Sequence, residues 1–251
     1  MFVKLSVITG HHKKEDKMSD LMKFVKQKQK IFQDDIVNMV PDKIQRVKNG
    51  PLLPNNIRAL VVGKSNCGKT HVVLNLIISP NGPKFQHLFV FSKTLYQPKY
   101  VALQEIMNGV KEISYASSSN VDDVTEPSAI PQNSLLVFDD VICSKQEAMR
   151  EYFSMGRHKN SDVFYITQCY SKTPKQLIRS NSNLLVIFKI DERSQKHVFH
   201  DHIEPDVDFR TFQKMCANCW NDNYGYLVID LECDKNNGRY RRGFDEFIGL
   251  E

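Results

Sequence analysis

A chain of 251 residues, 41% hydrophobic and 25% charged, is long enough for one sizeable α/β domain with a small appendage, and its composition excludes a disordered or repetitive protein. No run approaches the roughly 18 apolar residues of a membrane span, and the first ten residues lack a secretory pattern, so a soluble intracellular protein is expected. The net charge of +5 is concentrated at the N-terminus, where residues 1–50 hold 11 Lys/Arg against 6 Asp/Glu, while the remainder is balanced at 23 against 23. A basic arm on a neutral body suits a polyanionic partner such as nucleic acid, although a solvated charged face is the commoner explanation.

In chain order, Leu21, Val25, Phe32, Ile36 and Val40 recur at helical spacing between Ser19 and Pro41, with Lys23, Lys26 and Lys30 opposite, which predicts an amphipathic helix. Pro41 ends it. The stretch Asn49 to Asn56, holding Gly50, Pro51 and Pro54, reads as a connecting loop, so the chain divides into an N-terminal extension at 1–50 and a catalytic domain at 51–251. Short apolar runs then alternate with helical stretches: Ala59 to Val62, helical Thr70 to Ile78, His87 to Phe91, Ser134 to Phe138, Val163 to Thr167, Leu184 to Ile190 and Tyr226 to Leu231. Runs this short and this rich in Val, Ile, Leu and Phe suit strands buried on both faces, which predicts an α/β fold with a mainly parallel central sheet flanked by helices. The polar segment Gly109 to Asn133, with Ser117, Ser118 and Ser119 in a row, predicts an exposed loop around one short strand near Glu112 to Tyr115.

Residues Gly63 to Thr70 read GKSNCGKT, which matches GxxxxGK[ST] between an apolar strand and an apolar helical run. The pattern predicts a phosphate-binding loop for ATP with Mg²⁺, formed by Gly63, Lys64, Ser65, Asn66, Cys67, Gly68, Lys69 and Thr70. The glycines let backbone N–H groups face the phosphates, Lys69 brings positive charge to the β and γ phosphates, and the Thr70 hydroxyl ligates the metal. Ser134 to Asp140 reads SLLVFDD, a strand ending in two carboxylates. Asp139 is the expected Mg²⁺ partner, and Asp140 is placed to polarise the attacking water. The strand at Val163 to Thr167 ends in Gln168, whose amide can sense the γ phosphate.

Together GKSNCGKT, LLVFDD and GRHKNSDVFYITQ, followed by IRSN and LLVIFKI, resemble the FtsK/HerA superfamily of ring-forming P-loop ATPases, and more narrowly the genome-packaging ATPases of poxviruses, virophages and Polinton-type elements. The matching region runs from about Ile57 to Ile190. Tyr224 to Asp230 and Arg239 to Ile248 resemble the family's C-terminal strand and tail. The resemblance implies an ASCE/RecA-like sheet in which Gln168 lies between Lys69 and Asp139. It further implies ATP hydrolysis coupled to translocation of double-stranded DNA, a homo-oligomeric ring, capsid or portal-vertex partners, and residence inside the host cell or in the virion. Asp140 stands where many relatives of the FtsK branch carry Glu, whereas packaging members often have Asp. Arg157, in the GRH tract, and Arg179 are the two candidates to reach a neighbouring subunit's γ phosphate, and the motif favours Arg157.

Six cysteines are scattered along the chain, three of them (Cys67, Cys143 and Cys169) in or beside the nucleotide motifs, so a disulfide framework is not expected. Cys216 and Cys219 form a single CxxC downstream of His197, His200 and His202; buried thiols near Trp220 are the simpler reading beside zinc. Two rival functions remain: a small-molecule kinase, disfavoured because the arginines are spread singly rather than gathered in a lid, and a capsid-associated DNA-binding protein whose nucleotide site acts only as a switch.

Overall fold

The computed structural model describes residues 48–250, apart from 121–122, 142–146, 156–158, 177 and 205. The expected amphipathic helix at Ser19 to Pro41, the tract containing Arg157, and Cys143 lie outside the described residues. The strands are β1 (Arg58–Val62), β2 (His87–Ser92), β3 (Ser114–Ser118), β4 (Ser134–Asp139), β5 (Asp162–Thr167), β6 (Leu184–Phe188), β7 (Tyr226–Asp230), β8 (Tyr240–Arg242) and β9 (Glu246–Phe247). The helices are α1 (Lys69–Ile78), α2 (Pro98–Asn108), α3 (Glu147–Met155), α4 (Glu192–Val198) and α5 (Phe209–Cys219).

The strands form one sheet in the order β3-β2-β4-β5-β1-β6-β7-β8-β9. From β3 to β6 every pairing is parallel, and β7, β8 and β9 continue it antiparallel. The fold is therefore α/β with a mostly parallel sheet, as the apolar runs predict. Alternation along the strands sends Leu60, Val62, Leu136, Phe138 and Leu185 to one face, under Tyr152 and Phe153 of α3 and Phe212 and Met215 of α5. Ala59, Val61, Leu135, Val137 and Val186 face the other side, under Val73, Leu74 and Ile77 of α1 and Tyr100, Leu103 and Met107 of α2. Both faces being covered explains why β4 and β5 are buried throughout and read as unbroken apolar runs.

Two boundaries differ from the sequence expectation. Strand β3 runs through Ser117 and Ser118 rather than near Glu112, pairing with β2 from His87↔Ser114 to Phe91↔Ser118. It is an edge strand with mostly exposed side chains, so no apolar pattern announces it. Strand β6 stops at Phe188 instead of Ile190, because the chain turns to begin α4, where the Asp191 carboxylate accepts from the Ser194 amide at 2.9 Å as N-cap.

Residues ahead of β1 are bonded into this body. Lys48 pairs with the buried Asp162 at 2.9 Å, and Asp162 also accepts the Ile57 amide at 2.7 Å. At the other end Arg241, 1% exposed, donates to Asp230 at 2.8 Å, to the Gly238 carbonyl at 2.6 Å and to the Leu52 carbonyl at 2.5 Å. The guanidinium thus ties the segment before β1 to the β7–β8 hairpin. Replacing it alone strands the Asp230 carboxylate, so Arg241→Met should lower unfolding free energy by about 3–5 kcal/mol. The Arg241→Met, Asp230→Leu pair should recover most of that loss in urea denaturation; equal stability of the single variant and the parent would refute the assignment.

Candidate functional site

The parallel order aligns the C-terminal ends of β1, β5 and β4. Val62 is opposite Thr167, and Asp139 is opposite Ile166, so the segments that follow the three strands meet at one sheet edge, the place where open α/β sheets hold their ligands. The loop 63–68 leaves β1 there, with the Gly63 amide donating to the Thr167 carbonyl at 3.3 Å. Gly63 packs so tightly that a Cβ would lie 2.6 Å from both Cys67 Sγ and Phe188 Cβ. Gly68 adopts φ 101°, which side chains other than hydrogen rarely reach, and directly precedes α1. No side chain caps α1 and no acidic residue occupies its first turn, so its N-terminal amides are left to an anion.

A cavity of about 420 Å³ opens over this loop, walled by Ser65 to Thr70, Asp139, Asp140 and Gln168. The Lys69 ammonium donates to the Lys64 carbonyl at 2.7 Å. Burial lowers its pKa, against the opposing pull of Cys67, Asp139 and Asp140 and with Lys99 adding to the effect. A polyphosphate beside it would favour the charged ammonium and oppose that shift.

Asp139 Oδ2 accepts from Thr70 Oγ1 at 2.8 Å and from the Tyr100 hydroxyl. Burial first, and Asp139 second, raise the Tyr100 phenol well above its ordinary pKa, so it stays a donor across the working range. Both bonds fall on the same carboxylate oxygen. Thr70 and Asp139 offer oxygen donors only, which fits Mg²⁺ rather than a softer ion. Asp140, one residue on, is exposed with φ 56°; its amide donates to the Ile166 carbonyl at 3.2 Å and its carboxylate accepts from Gln168 Nε2 at 3.2 Å. The left-handed turn separates the two carboxylates, one anchored on Thr70 and Tyr100, the other beside Gln168.

Of the residues singled out from sequence, Gly63 to Thr70, Asp139, Asp140 and Gln168 come together, with β5 between β1 and β4. Arg157 lies outside the described residues. Arg179, in a single turn at Arg179–Asn181, is 8% exposed, donates to Asp201 at 2.7 Å and lies 4.9 Å over the Tyr170 ring. The guanidinium is thus held within its own chain by Asp201 and Tyr170. Cys216 and Cys219 are buried in α5, and burial raises both thiols, Cys219 to about 11. Among the described residues no three of His, Cys, Asp and Glu are grouped to hold a metal ion.

Sequence reasoning missed Tyr100, which bonds to Asp139, and it missed Thr94, Gln97, Lys99 and Tyr224, which line the cavity. A signal for α2 was present: Pro98 at its start and Tyr100, Leu103 and Met107 at helical spacing, all buried. Nothing local marks Tyr224.

Among solved structures, the genome packaging NTPase B204 from Sulfolobus turreted icosahedral virus 2 in complex with ATP-gammaS matches with TM-score 0.50 and 12% identity, covering 77% of this chain and 98% of that one. B204, the DNA-packaging ATPase from Sulfolobus Turreted Icosahedral Virus, matches with TM-score 0.49 and 12% identity over 71% of this chain and 94% of that one. At such identities the first shows a shared fold. No curated protein matches the sequence. The profile of the family described as Poxvirus A32 protein matches residues 44–202, more than half of the sequence and the whole stretch from Gly63 through Asp139 and Asp140 to Gln168. The chain therefore belongs to the poxvirus A32 protein family.

Proposed function

We propose that this chain is a genome-packaging ATPase that binds ATP through Gly63 to Thr70, hydrolyses it with Asp140 and Gln168, and uses the energy to move double-stranded DNA into a capsid. The observation that carries the reading is the arrangement at one sheet edge: Lys69, the Thr70–Asp139 pair and the Gln168–Asp140 pair surround one cavity of about 420 Å³. Membership of the A32 family supports it, and so does the fold shared with a viral packaging NTPase.

Within this site Lys69 and the α1 amides bind the phosphates. Thr70 and Asp139 would hold Mg²⁺, which would neutralise phosphate charge. Asp140 holds the attacking water and draws its proton, and Gln168 orients Asp140 and reads the γ phosphate. Arg157, carried from the GRH tract of the resemblance, completes the site of the next subunit in a homo-oligomeric ring. Double-stranded DNA and a capsid or portal-vertex protein are the partners, met inside the host cell or in the virion. No helix among the described residues is long and apolar enough to cross a membrane.

Steady-state ATPase assays with and without double-stranded DNA test the reading. A motor should complete many turnovers and be stimulated severalfold by the duplex. A single turnover per chain, unaffected by DNA, would instead mark a nucleotide switch and overturn the proposal.

A further inference from the structure

The turn between α5 and β7 breaks a local rule. The Gly225 amide donates to the Asp222 carbonyl at 3.0 Å, closing a tight turn in which Tyr224 adopts φ 64°. Such a position favours Gly or Asn, and a bulky aromatic side chain there is strained. Burial gives little compensation, because Tyr224 is 70% exposed. Backbone strain that folding does not need tends to persist where a ligand uses the side chain.

The ring stands on the nucleotide cavity, whose wall it shares with Lys69 and His71. A Cβ built on Gly68 would lie 3.5 Å from Tyr224 Cδ1, so the ring lies against the phosphate-binding loop. Strand order then sets the direction of a bound nucleotide. β5 and β4, leading to Gln168, Asp139 and Asp140, lie on one side of β1, whereas β6 and β7 lie on the other, and Tyr224 precedes β7 by two residues. A triphosphate laid across the start of α1 with its terminal phosphate toward the carboxylates therefore leads its nucleoside end toward Tyr224.

We propose that Tyr224 is the platform on which the base of the bound nucleoside triphosphate stacks, a reading that rests on the nucleotide site proposed above. Stacking uses the π face that every base presents, so the residue contributes affinity and tolerates adenine and guanine alike.

Calorimetric titration of the full chain in Mg²⁺ buffer with ATP and, separately, with inorganic tripolyphosphate tests this. Tyr224→Gly removes the ring and accepts the positive φ, so it should bind ATP about tenfold to a hundredfold more weakly while binding tripolyphosphate as the parent does. Its melting temperature should be no lower than the parent's, because glycine relieves the strained turn, and this is opposite to the effect expected of a structural ring. Tyr224→Phe should keep parental ATP affinity. Unchanged ATP affinity in Tyr224→Gly, or equal losses for ATP and tripolyphosphate, would overturn the assignment. Lys69→Ala in the same titration separates this inference from its premise: parental binding of both ligands by that variant would sink the nucleotide site itself, whereas loss of both leaves the base platform to be judged by Tyr224 alone.

Discussion

Asp140→Asn should bind ATP as tightly as the parent chain and hydrolyse it about a hundredfold to ten-thousandfold more slowly, the span of a general base. The substitution preserves the shape of a side chain that accepts from Gln168 at 3.2 Å, so the cavity wall should survive while the proton acceptor is lost. Asp139, carrying the Thr70 and Tyr100 hydroxyls on its Oδ2, cannot take over, since it is buried and already committed. Lys69→Ala divides the labour differently. It deletes a charge used in the ground state, so ATP binding itself should weaken by about tenfold to a hundredfold, as expected for a lost charged hydrogen bond. Single-turnover kinetics beside equilibrium binding distinguish the two, and near-parental turnover by Asp140→Asn would rule out its role as base.

The second large effect concerns Arg157. Charge developing on the transferred phosphoryl group calls for a donor beyond Lys69 and Mg²⁺, and an arginine in that role is worth about 10³ to 10⁵ in rate. Arg179 is held by Asp201 and lies over Tyr170 within its own chain, and the GRH motif favours Arg157 of the two. Arg157→Ala should bind ATP and barely hydrolyse it. If it acts across a subunit interface, mixing inactive Arg157→Ala with inactive Asp140→Asn creates some interfaces with an intact Asp140 on one side and an intact Arg157 on the other, and partial activity should return. Mixed assemblies that demonstrably form yet stay inactive would assign Arg157 to its own subunit.

The loop at 63–70 was legible as a phosphate-binding pattern because that pattern is local. Two glycines, a lysine and a threonine at set spacing, between a strand and a helix, suffice to specify it, and the structure adds the reasons: the crowded Gly63 and the left-handed Gly68. The strands were legible because both faces of the sheet are covered, which forces continuous apolar runs in β4 and β5. Where that pressure lapses the pattern lapses with it, as in β3, whose exposed serines resemble a loop although they pair with β2.

Sequence by itself determined the fold class, marked Lys69 and Thr70 as candidates to hold phosphate and metal, and placed two carboxylates at the end of a strand. It could not determine which side chains meet across strands and helices. Tyr100 reaches Asp139 from α2, thirty-nine positions away, because α2 packs on the face below β4. Arg179 pairs with Asp201, twenty-two positions away, a contact that local spacing does not announce. Tyr224 comes to the phosphate loop because β6 and β7 extend the sheet beyond β1. Each depends on the order in which strands lie side by side, and that order is decided by long-range packing and hydrogen bonding, which local spacing along the chain does not encode.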